Sequence, residues 1–297
     1  MTVRFRRETF EVVTPPALRL VRAPSPASHR SRTAQPPAPR ASPSPFAPFD
    51  EHQGAVRAPR RFGLDDAREV LDAGRFWTEY QAIVQARSGK TVAYEALARF
   101  ARRDGRPVPP ARVFSVLHAD PALLLRAELT LKLHQVEHAP RPPLFVNLDP
   151  DSWARAGDRH RNPFLALLAS SGHRIVVEVT EAMAIADVTR AREMIGALRA
   201  RRFPVALDDV GAANGILSFD AIADAEVLKF DRSLIPRLRQ PRCRALVQAL
   251  TRMAKETGAH SILEGVETTA DFVLARDVGF DLVQGFLFRD RAQLARR

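Results

Sequence analysis

The sequence predicts an α/β protein built as a (β/α)8 TIM-like barrel, and three observations carry that expectation. First, six short apolar runs each end in a polar group. Leu144-Phe145-Val146 ends in Asn147, Ile175-Val176-Val177 in Glu178, Val205-Ala206-Leu207 in Asp208-Asp209, Val227-Leu228 in Lys229, Ser261-Ile262-Leu263 in Glu264, and Leu282-Val283 in Gln284. Continuous apolar runs of this length read as strands buried on both faces. Second, helical stretches separate the runs, and successive polar ends fall 20 to 35 residues apart, the length of one strand–helix unit. Third, a leading pair of strands precedes the six, which brings the count to about eight.

The elements follow in order. Residues 1–60 hold eleven Pro, ten Arg and four acids, so this fifth of the chain carries +6 of a total of +11. Proline removes backbone donors and large apolar residues are scarce, so residues 1–61 are expected to form a disordered, basic, Pro-rich tail without a packed core. Val3, Phe5, Phe10, Val12 and Val13 leave room for one short strand or docking segment within residues 3–22. The composition changes at Phe62, and 62–297 reads as one globular domain. Leu64 to Ala73 is predicted helical, with Leu64, Ala67, Val70 and Leu71 on one face. Residues 80–86 and 91–97 read as strands joined by a hairpin turn at Ser88-Gly89. A helical region over 109–138 is interrupted near Asp120-Pro121, and further helices are expected at 160–171, 187–202, 237–258 and 269–278. Gly258 and Gly279 stand where the last two should stop.

Composition excludes several classes. A single cysteine, Cys243, rules out an internal disulfide and a cysteine-rich metal site. No run reaches the roughly 18 apolar residues of a membrane span, and Arg6-Arg7 has no apolar stretch behind it to make an export signal. A cytoplasmic setting is expected. His134 and His138 are spaced i, i+4 but Gln135 stands where a metalloprotease helix needs glutamate, so they, like His118, His160, His173 and His260, read as solvated helix or loop histidines. The arginine runs at 199–202 and 237–244 read as solvated helix faces, and the basic tail lacks the aromatic interleaving of specific nucleic-acid recognition.

The polar strand ends carry the chemistry. Acids, two amides and a lysine converging at the C-terminal mouth of a barrel suit hard divalent cations and an anionic substrate. Asp208 and Asp209 are adjacent, and a regular strand cannot point both inward, so the strand is expected to end there. Lys229 stands out in a chain with four lysines and 41 arginines. Lysine, unlike arginine, can give up a proton when nearby cations depress its pKa, which fits a general base or a positioner of the attacking water.

Tyr80-Gln81-Ala82-Ile83-Val84 followed by Tyr94-Glu95-Ala96-Leu97-Ala98-Arg99 resembles the opening signature of the EAL family, bacterial phosphodiesterases of cyclic di-GMP. The resemblance continues through Val146-Asn147-Leu148, Glu178-Val179-Thr180-Glu181, Leu207-Asp208-Asp209-Val210-Gly211, Leu228-Lys229-Phe230-Asp231-Arg232-Ser233, Glu264-Gly265-Val266-Glu267-Thr268 and Gln284-Gly285-Phe286, covering roughly residues 64–291. It implies an EAL-type barrel with an irregular antiparallel first strand. It also implies hydrolysis of cyclic di-GMP to 5′-pGpG with two Mg²⁺ or Mn²⁺ ions, and inhibition by Ca²⁺. Glu95, Asn147, Glu178 and Asp208 are implied to hold one ion, Asp208 and Asp209 the second, with Glu264 and Gln284 completing the shell. Catalytic roles are implied for Lys229, Glu264 and Glu95. Gln81, Leu97, Arg99, Asp231 and Gln284 are implied to meet the substrate, Arg99 at a phosphate oxygen and Gln81 at a guanine or ribose edge. Glu181 is implied to brace the loop after Asp209, Glu267 fits bracing a loop at the mouth as well as it fits a catalytic duty, and a homodimer is implied.

The loop after Asp208-Asp209 departs from the family run Phe-Gly-Thr-Gly-Tyr-Ser-Ser, reading Val210-Gly211-Ala212-Ala213-Asn214-Gly215-Ile216, so its threonine and tyrosine hydroxyls are gone. The family's proline after the final strand is also absent at Arg289-Asp290-Arg291. These changes support an alternative, a weakly active or inactive domain that acts as a receptor for cyclic di-GMP or as a protein-interaction module. The tail is expected to tether another protein rather than to take part in turnover.

Overall fold

The computed structural model describes residues 61–157, 161–172, 174–180, 185–212 and 219–296. The expected tail over 1–60 lies outside them, as do Glu181, His160, His173 and loop positions 213–216.

Helix α1 (Leu64–Asp72) leads into the hairpin β1 (Phe76–Gln85) and β2 (Thr91–Ala101). A short β3 (Pro107–Val108), α2 (Pro110–Leu117) and α3 (Pro121–Glu137) follow. The chain then alternates through β4 (Leu144–Asn147), α4 (Pro150–Arg155), α5 (Pro163–Ser170), β5 (Ile175–Thr180), α6 (Ile185–Ala200), β6 (Val205–Val210), α7 (Phe219–Asp224), β7 (Val227–Phe230), α8 (Leu234–Arg237), α9 (Pro241–Thr257), β8 (His260–Leu263), α10 (Thr269–Val278) and β9 (Leu282–Gln284). A 3₁₀ turn (Phe286–Arg291) and β10 (Gln293–Arg296) end the described residues.

The strands close into a barrel of eight in the order β1-β9-β8-β7-β6-β5-β4-β2, with β2 pairing back to β1. Strand β1 is antiparallel to both of its barrel neighbours and its ladder slips between Ile83 and Val84, as the resemblance implied. The other barrel pairings are parallel. Strands β3 and β10 add to the outer ends of β2 and β1 and stay outside the ring.

Local chemistry explains most boundaries. Lys90 O accepts from Gln85 N at 2.8 Å, which closes the hairpin over Ser88 and Gly89, and Gly89 takes the left-handed φ of 69° that the turn needs. Asp120 caps α3 by accepting from Leu123 N, which is why the helical region breaks there. Gly258 and Gly279 end α9 and α10 in left-handed conformation, at φ 85° and 102°. Asn162 caps α5 and Pro163 occupies its first turn, so that helix starts later than position 160. The helical stretch from 237 is two helices, divided ahead of Pro241. The short helices α4 and α7, and strands β3 and β10, were not legible because none spans enough residues to show a period.

The strand pair β1–β2 is longer than the sequence suggested, beginning at Phe76 and running to Ala101. Phe76 and Phe100 face one another in register, and both join an apolar cluster with Leu71, Val113, Leu117 and Leu131 from α1, α2 and α3. Those helices therefore back a two-stranded wall that extends past the barrel. The front of the wall carries Trp77, Glu79 and Gln81 on β1 and Glu95, Leu97 and Arg99 on β2, as the two-residue alternation of a strand requires.

Among the helix histidines the expectation of solvation fails for His134. It is buried at 6% exposure, bonds Thr78 Oγ1 through Nδ1 at 2.9 Å and stacks on His138. His118 is half-exposed but bridges Phe114 O and Asp149 Oδ2 at 2.8 and 3.1 Å. Cys243 packs against the main core. Among the described residues no helix is long and apolar enough to cross a membrane.

Candidate active site

Two layers of inward side chains define the barrel interior. The lower is apolar, with Ile83, Ala93, Phe145, Val176, Ala206, Val227 and Ile262 forming one cluster and Leu282 packed against it. That is one residue from each of the eight strands. Two positions further toward the C-terminal mouth, and two positions earlier on the antiparallel β1, every strand presents a polar residue: Gln81, Glu95, Asn147, Glu178, Asp208, Lys229, Glu264 and Gln284. The apolar layer seals the bore beneath, and the polar layer faces the mouth.

The upper layer sets four carboxylates around one ammonium. Lys229 Nζ lies 2.6 Å from Glu178 Oε1, 2.7 Å from Glu264 Oε1, 3.0 Å from Asp208 Oδ1 and 3.6 Å from Glu95 Oε2. Asn147 donates through Nδ2 to Glu95 Oε1 at 2.9 Å and to Glu178 Oε2 at 2.8 Å. Gln284 donates through Nε2 to Gln81 Oε1 at 2.6 Å and to Glu95 Oε2. Eight of the predicted residues, Gln81 among them, thus form one connected cluster.

Electrostatics divide the acids. Burial works to raise Glu95, but the Lys229 charge and hydrogen bonds with Gln284, Glu178 and Asn147 hold it below the usual carboxylate range. Glu178 goes the other way, pushed well up by burial and by the Glu95 charge, against the pull of Lys229. Burial lifts Glu264 to about 7, with Asp208 and Glu95 adding and Lys229 opposing. Asp209 is raised by burial and by its neighbours Asp208 and Asp231. Burial would lower Lys229, but Glu178, Glu95, Asp208 and Glu264 together push it well above the ordinary lysine value. The lysine therefore stands as an ammonium in this surround, and a depressed pKa would need added positive charge.

The residues fit hard divalent cations. Glu178 Oε1 and Asp208 Oδ1 are buried against the Lys229 ammonium at 2.6 and 3.0 Å, and Gln284 Oε1 is buried with no donor among the described residues. Four carboxylates share one ammonium in this layer, and keeping them charged while buried is costly unless they are paired or bound to metal. Asp208, Asp209 and Glu264 each bring a carboxylate oxygen within 4.8 Å of the others. Asn147 and Gln284 present nitrogen to carboxylates, so each amide has to turn over to offer oxygen to a cation.

The adjacent aspartates reach the lip by a route the sequence reading did not anticipate. Strand β6 does not end at Asp208; it continues to Val210. Asp209 adopts a left-handed φ of 59°, and the ladder to β7 slips between Leu207 and Val210. Leu207 and Val210 both face the outer core, three residues apart, which a regular strand forbids. The extra residue is a bulge that resets the alternation and leaves both carboxylates at the mouth.

The other predicted residues lie along the wall and the rim. Arg99 donates through Nε to Glu79 Oε2 at 2.9 Å and through Nη1 to Ala98 O at 3.1 Å. Leu97 sits between Glu95 and Arg99 on the same face, half-buried. Asp231 is one alternation beyond Lys229 and accepts from Ser233 N at 2.9 Å. Glu267 is exposed, while Glu181 and positions 213–216 of the loop after Asp209 lie outside the described residues. Glu79 was missed. The run Phe76-Trp77-Thr78-Glu79-Tyr80-Gln81 carries no clean apolar–polar alternation to flag it; the hairpin register places Glu79 one step above Gln81 on the front of β1.

A family model described as the EAL domain matches residues 64–290. The cyclic di-GMP phosphodiesterase RocR of Pseudomonas aeruginosa is 25% identical over 236 residues, covering 75% of this chain and 59% of RocR. Among solved structures, a PaMucR phosphodiesterase–c-di-GMP complex has TM-score 0.59 at 24% identity, covering 76% of this chain and 95% of that one. A manganese/cy-diGMP complex of Klebsiella pneumoniae BlrP1 has TM-score 0.60 at 24% identity, covering 75% and 59%. Matches to curated relatives from Sinorhizobium fredii, Azorhizobium caulinodans and Synechocystis span 29%, 35% and 34% of those proteins' lengths. The chain belongs to the EAL family.

Proposed function

Taking EAL-family membership as the premise, we propose that this chain is a cyclic di-GMP phosphodiesterase that hydrolyses its substrate to 5′-pGpG with two divalent cations, Mg²⁺ or Mn²⁺. The observation that carries the reading is the polar layer of four carboxylates, three amides and one ammonium above a sealed apolar layer. Glu95, Asn147, Glu178 and Asp208 would hold one ion, and Asp208, Asp209, Glu264 and Gln284 the other. When bound, the ions supply Lewis acidity toward the phosphoryl oxygens and lower the pKa of water.

The chain's own residues do the rest. Lys229, fixed by four carboxylates, positions the attacking water and holds or takes its proton at Nζ. Arg99 binds a non-bridging phosphate oxygen, and Gln81 meets the guanine or ribose edge. Leu97 supplies apolar contact on the wall, and Asp231 orients the Lys229 side of the mouth. Glu181 and Glu267 brace the loop after Asp209. The homodimer and the cytoplasmic setting belong to the same reading, as does the assignment of 62–297 as the catalytic domain behind a tethering tail.

A second reading, binding without turnover, is favoured by one observation: the run 210–216 has lost the hydroxyls of the family loop. Incubating the purified chain with cyclic di-GMP and Mg²⁺ or Mn²⁺, with Glu95→Ala as control, separates the two. 5′-pGpG from the parent alone supports the phosphodiesterase. Binding without product supports the receptor.

A further inference from the structure

We propose that Glu79 sets the substrate affinity of the site, as a built-in counter-ion that competes with the substrate phosphate for Arg99. The inference rests on the phosphodiesterase reading and adds the control of its substrate affinity.

The placement of the pair sets it apart from an ordinary rim ion pair. Glu79 stands one alternation above Gln81 on β1, and Arg99 two alternations above Glu95 on β2, both on the front of the wall that rises from the polar layer. Along a strand each alternation is about 7 Å, so the pair lies within a nucleotide's reach of the carboxylate cluster. Arg99 spends Nε on Glu79 and Nη1 on the Ala98 carbonyl. The side chains are 27% and 29% exposed, so a ligand can reach both.

Charge gives the direction of the effect. An anionic phosphate that takes Arg99 gains a guanidinium already oriented by the Ala98 carbonyl, but it has to displace the Glu79 carboxylate that holds Nε at 2.9 Å. A partly exposed ion pair is weak enough to yield to a phosphate, and breaking it offsets part of what the new contact gains. Glu79 therefore lowers affinity without touching the reacting atoms. The effect falls on substrate binding and leaves the chemical step alone.

The test uses the full chain with cyclic di-GMP and Mn²⁺. Glu79→Gln keeps an acceptor for Arg99 Nε and removes the charge, and it should lower KM by about threefold to fivefold, the size a single partly exposed ion pair carries, with little change in kcat. Glu79→Asp should restore the parent KM. In an Arg99→Gln background, Glu79→Gln should leave KM where Arg99→Gln put it. A KM that does not fall in Glu79→Gln, or a fall that persists without Arg99, overturns the proposal while the parent's turnover stands. A parent that neither binds nor hydrolyses the nucleotide overturns the phosphodiesterase reading, and this inference with it.

Discussion

Lys229 Nζ lies 2.6 Å from Glu178 Oε1 at the centre of the barrel mouth, and both side chains are sealed from solvent. A buried ammonium with four carboxylates around it is held by charge, and its removal leaves them uncompensated. Lys229→Ala should cost about 10²-fold or more in kcat. It should also lower the melting temperature of the metal-free protein, with Mg²⁺ restoring part of the loss. Arginine carries the charge but cannot release a proton, so Lys229→Arg should keep more stability than activity. A Lys229→Ala protein that is fully active would remove the lysine from the mechanism.

The acids give a pH dependence whose sign can be worked out. Glu264 is lifted to about 7, and Glu178 and Asp209 move the same way. A raised folded pKa means the folded state favours the proton. The stabilising contribution is full below the unfolded pKa of about 4.5 and fades as pH rises toward about 7. Protons and cations compete for these oxygens, so the rise in melting temperature on adding Mg²⁺ should grow across that window and level off above it. Melting curves in chelator and in Mg²⁺, taken from about pH 5 to about pH 8, measure the gap. A gap that stays constant would mean that no carboxylate lifted into this range binds the ion.

Gly265, directly after Glu264, has φ 68°, and a Cβ there would sit 2.2 Å from Arg232 Cβ. Gly265→Ala should therefore cost about 2–4 kcal/mol, from left-handed strain and overpacking together, and should displace the Glu264 carboxylate. Gly89→Ala is the comparison, since φ is 69° and no atom lies within 4 Å. It should cost only the strain, about 1–2 kcal/mol. Denaturant midpoints compare the two, and equal losses would deny the close approach at Arg232.

Why some of this was legible in the sequence and some was not comes down to geometry. The strand ends at Asn147, Glu178, Lys229 and Glu264 could be read because a doubly buried strand is a continuous apolar run and its end is abrupt. The mouth residues Gln81 and Glu95 came through the family pattern, since β1 and β2 alternate and have no such run. Arg99 was expected only near the opening strands, beyond a strand read as ending at 97, and its partner Glu79 depends on a diagonal across the hairpin, which needs the register. Lys229 was expected to titrate downward with cations beside it; the four carboxylates that surround it push it upward on their own, and the sequence did not show that they would all meet at this ammonium. The continuation of β6 past Asp208 was hidden because a bulge looks like a strand end to any period-two reading.

That bulge carries the last prediction. Asp209 is one of two non-glycine residues with positive φ among the described residues. Aspartate tolerates the left-handed region better than most side chains but still less well than glycine, and its buried charge is disfavoured by Asp208 and Asp231. Both costs are borne at the lip of the site, where strain that persists is the kind maintained for function. Asp209→Gly should therefore stabilise the metal-free protein by about 1 kcal/mol while weakening Mn²⁺ binding and turnover. Asp209→Asn tolerates the backbone and loses only the charge, so it should match the parent or exceed it slightly in stability and resemble Asp209→Gly in activity. Unfolding midpoints in chelator, set beside Mn²⁺ titrations of the same proteins, read both quantities. If Asp209→Gly loses stability, the bulge is held by contacts of the carboxylate rather than strained on its behalf. If it keeps full Mn²⁺ affinity, Asp209 does not bind the second ion.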